Sequence, residues 1–468
     1  MGICGTAMGN IALLFKEMGY EVMGSDTAIY PPMSDLLKRK GISIFDGYDF
    51  ERLKNLKPDC VVVGNAISRG NPEVESLLRT RMFPYVSLPE LLKNEVLKTR
   101  KNIVITGTHG KTTTSTLTAF LLRHNNSEAG YFIGGVPRDL PEGAQLGNIN
   151  QPFVLEGDEY DTAFFDKRSK FVHYLPSILV INNIEFDHAD IFRDLQDVKR
   201  TFSHVIRLVP QNGFIVANGD DSNVRSLLPV SWTQTLFVGC GEDCDLQIKK
   251  FEETKENSSF SLYWKGKLWE KVSWRQTGIF NARNAAMAAL SAGLALNPEN
   301  PTSLQLNNLK KFLGVKRRQE CLLENENWVI IEDFGHHPTA IAQTLTSLRN
   351  RHPNAHITAC FEPRSNSACT SIFQEGFLDS LTLADQALIG ALNRPEKLKE
   401  SERLNTKEMA SMLQSKGRQA HAFSSNEELL AHLQSFAQKP PATHGHLVCF
   451  FSNGSFDGIM QKFVAFVR

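Results

Sequence analysis

The chain has 468 residues, of which 41% are hydrophobic and 22% charged, and its 51 Lys and Arg balance its 51 Asp and Glu. This length is too great for one hydrophobic core, and at about 150 residues per domain it predicts about three domains. The balanced charge excludes the basic surface of a nucleic-acid-binding protein, so any anionic ligand must be held by local geometry. No apolar run reaches the ~18 residues of a membrane helix. The eight cysteines are scattered, which favours free thiols, and we expect a cytoplasmic protein without a membrane partner.

The opening residues predict the first half of a mononucleotide-binding unit. Gly5 and Gly9 lie in a glycine-rich turn, an apolar helix follows, and a short strand then ends at Asp26. The strand that should precede the turn is missing from the sequence. We therefore expect the natural chain to begin upstream of Met1, which an intact mass of the natural protein would test.

A second unit begins with the apolar strand Asn102–Ile105, followed by the glycine turn Thr106–Thr112. Glycines let backbone N–H groups converge on phosphate oxygens, and the helix that follows offers its positive end. Lys111 is expected to reach the β- and γ-phosphates of a nucleotide, and the Thr112 hydroxyl to bind Mg²⁺. The residues predicted to bind the nucleotide here are Gly107, Thr108, His109, Gly110, Lys111, Thr112 and Thr113.

Two polar segments follow later apolar strands. Glu156–Glu159 comes directly after one strand, and Asn183–His188 comes shortly after another. Acids and an imidazole beside a triphosphate suit Mg²⁺, so we predict Glu156 and His188 as metal ligands and, with Lys111, as catalytic residues. Solvated loop acids and a structural hydrogen bond from His188 are the alternatives.

Residues 232–275 depart from the alternation of strands and helices that precedes them. Phe260–Trp264 and Lys267–Val272 read as a hairpin, which predicts a small antiparallel sheet attached to the second domain. An alanine-rich helix follows, and at its start Asn281 and Asn284 can either bind a base edge or cap the helix.

The last third of the chain predicts another α/β sheet, with strands over Trp328–Asp333 and His356–Phe361. Asp333, at a strand end, can accept hydrogen bonds from ribose hydroxyls. Arg317 and Arg318 can either bind a γ-phosphate or be two solvent-exposed charged residues.

The predicted fold class is therefore α/β with three domains. Residues 1–99 form a Rossmann-like domain. Residues 100–313 form a central domain with the phosphate loop and a small antiparallel sheet. Residues 314–468 form a second Rossmann-like domain.

Several of these motifs, in this order along nearly the whole chain, resemble the Mur ligase family. They are Thr106–Thr112, the Glu156 segment, Asn183–His188, Gly278–Asn284 and Arg317–Arg318. The resemblance implies an ATP- and Mg²⁺-dependent ligase that adds amino acids or peptides to UDP-N-acetylmuramic acid, through an acyl phosphate. One residue departs from the pattern: Phe280 stands where the family usually has His.

Within the family, four segments resemble the branch that attaches a whole tripeptide, L-Ala-γ-D-Glu-meso-diaminopimelate, during peptidoglycan recycling. They are Gly314–Glu320, Asp333–Ile341, Glu362–Asn366 and Ser452–Phe456. The first two are partly shared with the alanine-adding branch, which is the alternative.

The resemblance also assigns the substrates to the outer domains. The UDP-sugar is expected to lie near Gly5, Gly9, Ser25, Asp26 and Ser68. The peptide is expected near Arg364, Ser365 and Asn366, because a carboxylate-rich peptide favours a bidentate guanidinium. Packing roles are the alternative for both sets.

Two other classes of protein can be set against this interpretation. A nicotinamide dehydrogenase would share the first glycine turn and Asp26, but it needs no second phosphate loop with acidic metal ligands. A P-loop switch would share that loop, but it needs no third domain with residues facing the nucleotide.

Overall fold

The computed structural model describes residues 1–438 and 445–468, which fold as three successive α/β parts. The predicted fold class is confirmed: the first and last parts are Rossmann-like, and the central sheet carries antiparallel strands. In the described ranges, no helix is both long and apolar enough to cross a bilayer.

The first part contains two parallel strand pairs, β1 with β2 and β3 with β4. Its strands are β1 (Met23–Asp26), β2 (Ser43–Asp46), β3 (Val61–Val63) and β4 (Tyr85–Ser87). Its helices are α1 (Thr6–Glu17), α2 (Met33–Arg39), α3 (Phe50–Leu56), α4 (Pro72–Thr80) and α5 (Leu88–Leu92). Residues 1–3 lie between the two pairs, since Gly2 N–H donates to Ser25 O (2.8 Å) and Met1 N to Val62 O (2.8 Å).

The central part is built on one sheet of order β16-β15-β14-β13-β12-β11-β5-β8-β6-β7 and a short β9–β10 ribbon. Its strands are β5 (Asn102–Thr106), β6 (Gly130–Phe132), β7 (Ala144–Gln145), β8 (Phe153–Glu156), β9 (Asp161–Ala163), β10 (Asp166–Ser169), β11 (Pro176–Ile181), β12 (Phe214–Asn218), β13 (Gln234–Gly239), β14 (Leu246–Glu253), β15 (Ser258–Trp264) and β16 (Lys267–Trp274). Its helices are α6 (Lys111–His124), α7 (Leu195–Ile206), α8 (Ser222–Arg225) and α9 (Ile279–Leu296).

Strand β5 lies in the middle of this sheet, paired in parallel with β8 and β11. Its residues Ile103, Val104 and Ile105 are fully buried, as expected for a parallel strand covered on both faces. Because all three strands run the same way, the segments that follow them emerge side by side at one edge of the sheet.

The predicted hairpin is confirmed as β15 and β16, joined by a turn in which Lys265 and Gly266 both have positive φ. This is the backbone conformation that two-residue hairpin turns favour. The hairpin does not belong to a separate small sheet, however. Strand β14 pairs in parallel with β13, so β14, β15 and β16 extend the central sheet and β16 forms its edge.

The two faces of the central sheet carry different helices. Helices α6 and α9 cover one face with many small side chains, which lets them pack closely together. The other face is covered by α7 and also by α1 and α5 of the first part, whose Leu14 and Leu92 share a core with Val104. The first part is therefore docked on the central sheet through a common hydrophobic core.

The last part contains a six-stranded sheet of order β17-β18-β22-β19-β20-β21, in which only β17 pairs antiparallel. Its strands are β17 (Glu320–Glu324), β18 (Trp328–Asp333), β19 (His356–Phe361), β20 (Gln386–Ile389), β21 (Gln419–Ala422) and β22 (His446–Phe451). Its helices are α10 (Pro338–Arg351), α11 (Gln374–Leu381), α12 (Thr406–Ser415), α13 (Asn426–Ala437) and α14 (Ile459–Val467). Strands β18 and β19 have the predicted limits.

The packing of α9 gives a test of this fold. Leu290 is fully buried in the core beneath the central sheet, whereas Leu296 at the end of the same helix is 39% exposed. We expect Leu290→Ala to lower the free energy of unfolding by about 2–5 kcal/mol, because it leaves a cavity. The matched Leu296→Ala should change it by less than about 0.5 kcal/mol. Urea unfolding followed by tryptophan fluorescence would measure both, and equal effects would contradict the described packing.

Candidate functional site

The phosphate loop joins β5 to α6, and two glycines fix its shape. Gly107 and Gly110 have φ values of +133° and +80°. A Cβ on Gly107 would lie 2.9 Å from the Cβ of Asn182, and one on Gly110 would lie 2.6 Å from Asn284 Oδ1. Both positions therefore need glycine for backbone conformation and for space. The N–H groups of the first turn of α6 have no acceptor within the helix and are available to an anion.

Lys111, the first residue of α6, is held by a buried carboxylate. Its Nζ donates to both oxygens of Glu159, at 2.9 and 2.7 Å, and to Gly107 O at 2.7 Å. Burial lowers the pKa of Lys111, but the negative charges of Glu159 and Asp158 outweigh it and raise the pKa. Lys111 is therefore a cation next to the loop.

Glu156 lies at the end of β8, facing the start of α6. Its carboxylate accepts hydrogen bonds from Thr112 Oγ1 (2.8 Å) and from Gly134 N–H (2.7 Å). A hydroxyl and a carboxylate side by side next to a phosphate loop are hard oxygen donors that fit Mg²⁺.

His188 lies in the loop after β11 with a positive φ of 55°. Its Nε2 is 3.2 Å from Glu159 Oε1, and its ring packs against Tyr160 with 4.4 Å between the ring centroids. Burial lowers the pKa of His188, but the hydrogen bond with Glu159 outweighs it and raises the pKa. Among the described residues, His188 and Glu156 form no direct hydrogen bond with each other.

The structure thus separates the predicted catalytic residues into two groups. Thr112 pairs with Glu156, whereas Lys111 and His188 meet at Glu159. Sequence reasoning missed Glu159 as a site residue. Its only signal was membership of the acidic segment after β8, and spacing alone does not show which of those acids faces the loop.

A cavity of about 330 Å³ opens beside the phosphate loop. It is lined by His109, Asn182, Asn183, Glu185, Asn218, Asp220, Asp221, Ser222, Asn223, Phe280, Arg283, Asn284, Thr339 and Gln343. Nearly all of these are polar, as expected for a pocket that holds a nucleotide, and Phe280 adds an aromatic ring.

The two predicted asparagines of α9 have different positions relative to this cavity. Asn284 lines it, and its amide donates to Asn281 Oδ1 at 3.1 Å. Asn281 lies behind, donating in turn to Thr277 O at 2.7 Å. Arg283, which was not predicted, also lines the cavity and donates to Asp220 Oδ2 at 2.7 Å.

The two arginines at the start of the last part have different surroundings. Arg317 is fixed by Glu332 Oε1 (2.6 Å) and Ser452 O (3.0 Å). The Arg318 guanidinium lies 4.5 Å from the centre of the Phe334 ring. Burial lowers the pKa of Arg318, and the nearby charges of Asp333 and Glu156 offset this in part. Arg318 is thus the arginine close enough to Asp333 and Glu156 for their charges to act on it.

Asp333 lies at the end of β18, as predicted, but backbone groups bind both of its oxygens. Gln319 N–H donates at 3.0 Å and Gly335 N–H at 2.7 Å. The carboxylate therefore holds the segment that carries Arg318. A ribose contact by Asp333 remains a prediction.

In the first part, the predicted residues surround the glycine turn. Asp26 accepts hydrogen bonds from the N–H groups of Cys4 (2.8 Å) and Ala28 (2.9 Å). Ser25 donates to Glu73 Oε2 at 2.9 Å, and Gly9 is so close to Met33 that a Cβ would lie 2.2 Å from its sulfur. The remaining two, Gly5 and Ser68, are exposed.

The three predicted residues of the last part occupy one loop after β19. Asn366 reaches the central part, donating to Asp190 Oδ2 at 2.8 Å. Ser365 Oγ accepts from Ala368 N–H at 3.0 Å, which makes it part of a turn. Arg364 is one-third exposed, packs against Gly454 and donates to Glu362 Oε1 at 3.4 Å, so part of its guanidinium is accessible to a ligand.

Comparison with known proteins finds three family models along the chain. Residues 1–98 match the "Mur ligase family, catalytic domain", residues 105–292 the "Mur ligase middle domain", and residues 317–454 the "Mur ligase, glutamate ligase domain".

Individual proteins match over most or all of their length. A Haemophilus influenzae UDP-N-acetylmuramate--L-alanyl-gamma-D-glutamyl-meso-2,6-diaminoheptandioate ligase is 38% identical, covering 99% of this chain and 97% of its own. A UDP-N-acetylmuramate--L-alanine ligase of Dictyoglomus turgidum is 32% identical over 83% of this chain and 80% of its own. The crystal structure of a murein peptide ligase from Psychrobacter arcticus superposes with a TM-score of 0.70 and 32% identity, covering 100% of this chain and 97% of that one.

Because Lys111 lies in the phosphate loop, we predict that its replacement weakens nucleotide binding. We expect Lys111→Ala to weaken the binding of a non-hydrolysable ATP analogue about 10- to 100-fold, because a charged hydrogen bond worth about 1.5–3 kcal/mol is lost. Lys101→Ala, at the opposite end of β5, is the matched control and should bind normally. Isothermal titration calorimetry would measure both affinities, and an unchanged affinity in Lys111→Ala would contradict the assigned role of the loop.

Proposed function

The chain belongs to the Mur ligase family, and from this membership we propose that it is an ATP-dependent ligase joining UDP-N-acetylmuramate to the tripeptide L-alanyl-γ-D-glutamyl-meso-diaminopimelate. The observation that carries the proposal is the 38% identity to a ligase of that name over 99% of this chain. The product is a UDP-linked muramoyl tripeptide, which suits the reuse of peptides released from peptidoglycan. ATP and a UDP-sugar are cytoplasmic substrates, and the eight free cysteines suit that reducing compartment.

The proposed reaction has two chemical steps. The carboxylate of UDP-N-acetylmuramate attacks the γ-phosphorus of ATP, which forms an acyl phosphate and releases ADP. The amine of the tripeptide's alanine then attacks the acyl carbon, an amide bond forms, inorganic phosphate leaves and the amine loses a proton.

The first step has to bring a carboxylate next to a triphosphate, and two anions in a cleft of low dielectric repel each other strongly. Lys111, and Arg318 near Glu156, would supply positive charge to the reacting groups, and α6 would add its N-terminal N–H groups. Glu159 keeps Lys111 protonated and holds it at a fixed position. These residues act mainly by positioning and by electrostatic stabilisation.

We propose Thr112, Glu156 and His188 as the residues that hold Mg²⁺. Thr112 and Glu156 already form an oxygen pair beside the loop. When bound, the ion would neutralise part of the charge on the triphosphate and on the incoming carboxylate.

The outer parts are proposed to bind the other two substrates. The glycine turn over Gly5 to Gly9, held by Asp26, would face the UDP pyrophosphate, with Ser25 and Ser68 nearby. Arg364 would bind a carboxylate of the tripeptide, because its guanidinium is one-third exposed and has the shape for a two-point contact with a carboxylate. Asn366 would link that site to the central part through Asp190.

The alternative is ligation of free L-alanine, supported by the 32% identity to the D. turgidum ligase. We expect kcat/KM for the tripeptide to exceed that for L-alanine by at least about 100-fold, since L-alanine lacks the D-glutamyl and diaminopimelyl residues whose carboxylates the last part would bind. Phosphate release with ATP, UDP-N-acetylmuramate and each acceptor in turn would measure this. Turnover with L-alanine alone would favour the alternative.

If Glu156 and His188 hold Mg²⁺, replacing either one should slow the chemical step without weakening the binding of UDP-N-acetylmuramate. Glu156→Gln and His188→Asn should each lower kcat about 10²–10³-fold, because charge on the reacting groups is no longer neutralised. The affinity for UDP-N-acetylmuramate, measured by calorimetry, should stay within about twofold. Glu128→Gln, at an exposed acid of the same part, is the control and should retain full activity.

Two outcomes would contradict this assignment. One is an equal loss of UDP-N-acetylmuramate affinity in Glu156→Gln or His188→Asn. The other is amide formation that continues unchanged after Mg²⁺ is chelated with EDTA.

A further inference from the structure

Three side chains beside the nucleotide cavity form a cluster that the proposed reaction does not use. His109 Nε2 lies 3.1 Å from Glu185 Oε2, and His337 Nδ1 lies 3.3 Å from the same oxygen. All three ligand atoms are within 4.8 Å of one another. We refer to His109, Glu185 and His337 as the two-histidine cluster.

The three members come from separate segments. His109 belongs to the phosphate loop, Glu185 to the loop after β11, and His337 precedes α10 in the last part of the chain. Glu185 is fixed locally, because its N–H donates to Thr108 Oγ1 at 2.9 Å. The cluster therefore forms only where the last part meets the central part.

The hydrogen bonds of His337 determine which of its ring nitrogens carries a proton. Its Nε2 lies 3.1 Å from Phe186 O, and a carbonyl oxygen can only accept, so Nε2 is the protonated nitrogen. Its Nδ1 accepts from Thr339 N–H at 3.3 Å, so Nδ1 presents a lone pair. Burial lowers the pKa of His337 to about 4, which agrees with a neutral ring.

This assignment leaves two acceptors facing each other. His337 Nδ1 and Glu185 Oε2 lie 3.3 Å apart, and neither atom donates a proton to the other. The one lone pair of Nδ1 accepts from Thr339 N–H, so a cation bound at Nδ1 would take the place of that hydrogen bond. Burial raises the pKa of Glu185, but its hydrogen bond with His109 outweighs this and lowers the pKa to about 2, so the carboxylate is an anion. A cation bound between the two acceptors would turn this repulsion into attraction.

The donor set indicates the kind of cation. Two imidazoles and one carboxylate are a ligand set typical of Zn²⁺, whereas Mg²⁺ takes mainly oxygen ligands, so two imidazoles at one ion do not favour it. Metal-bound histidines usually donate their second ring N–H to a carbonyl or carboxylate. His337 already does so through Phe186 O.

We propose that the two-histidine cluster binds one divalent transition-metal ion of the Zn²⁺ type, at a site distinct from that of Thr112, Glu156 and His188. Because its ligands come from both the central and the last parts, the bound ion would hold these parts together. Because His109 and Glu185 line the nucleotide cavity, the ion would lie at the wall of that cavity.

Titration of the full chain with ZnCl₂ in excess Mg²⁺ would test this proposal, since the Mg²⁺ keeps the hard-ligand site supplied. We expect the wild-type chain to bind one equivalent of Zn²⁺, and Co²⁺ in its place to show the visible absorption of a low-coordinate ion. His337→Asn and His109→Asn should each weaken Zn²⁺ binding at least about tenfold. Asparagine is also a favourable residue before a helix, so His337→Asn keeps the start of α10.

Two control variants show where the ion binds. His204→Asn replaces an exposed histidine of α7 and should bind Zn²⁺ like the wild type. His188→Asn should also bind one equivalent of Zn²⁺. Loss of Zn²⁺ binding in His188→Asn would place the ion at the proposed Mg²⁺ site and overturn the proposal. So would unchanged binding in both His337→Asn and His109→Asn, or no binding by the wild-type chain. Circular dichroism without metal would establish that each variant is folded.

Discussion

The carboxylate of Glu159 is the interaction around which the phosphate site is arranged. It is 3% exposed, and it lies between the ammonium group of Lys111 and the imidazole of His188. Both groups donate to this one buried anion, which therefore holds them side by side. Their positions in turn depend on β5, β8 and β11 being neighbours, because each contributes one of these residues just beyond its carboxyl end.

The features predicted correctly from the sequence are those that depend on one contiguous segment. The strands, the hairpin and the phosphate loop each have a local pattern of apolar residues and glycines, so their positions followed from the sequence. Sequence reasoning could not predict which polar groups bind each other across segments. The run from Glu156 to Glu159 shows this limit, since the sequence singled out the first acid, whereas the structure places the last one against Lys111 and His188.

Backbone hydrogen bonds were a second limit. Asp26 and Asp333 each accept two backbone N–H groups, which sequence reasoning did not predict, and their contacts with ligands remain predictions. The identity of an acidic residue does not show whether its carboxylate already accepts hydrogen bonds from nearby backbone N–H groups. The continuity of the hairpin with the central sheet was missed for a related reason, because the pairing of β14 with β13 depends on backbone register and not on a local motif.

The loop after β11 connects the phosphate site with the last part of the chain. Phe186 O accepts a hydrogen bond from His337, Ala189 N–H donates to Ser367 Oγ at 3.2 Å, and Asp190 accepts from Asn366. Since His188 lies within this same loop, a movement of the last part would be transmitted to a proposed metal ligand. These hydrogen bonds would couple the proposed substrate site of the last part to the proposed metal site at the phosphate loop.

The edge strand β16 has a consequence for the behaviour of the protein at high concentration. An open sheet edge offers unpaired backbone groups to which a strand of another molecule can add. Here the outermost strand carries Lys267, Glu270 and Lys271 among its residues. Charged side chains along an edge oppose the approach of a second strand, so this edge of the ten-stranded sheet is protected against the addition of a strand.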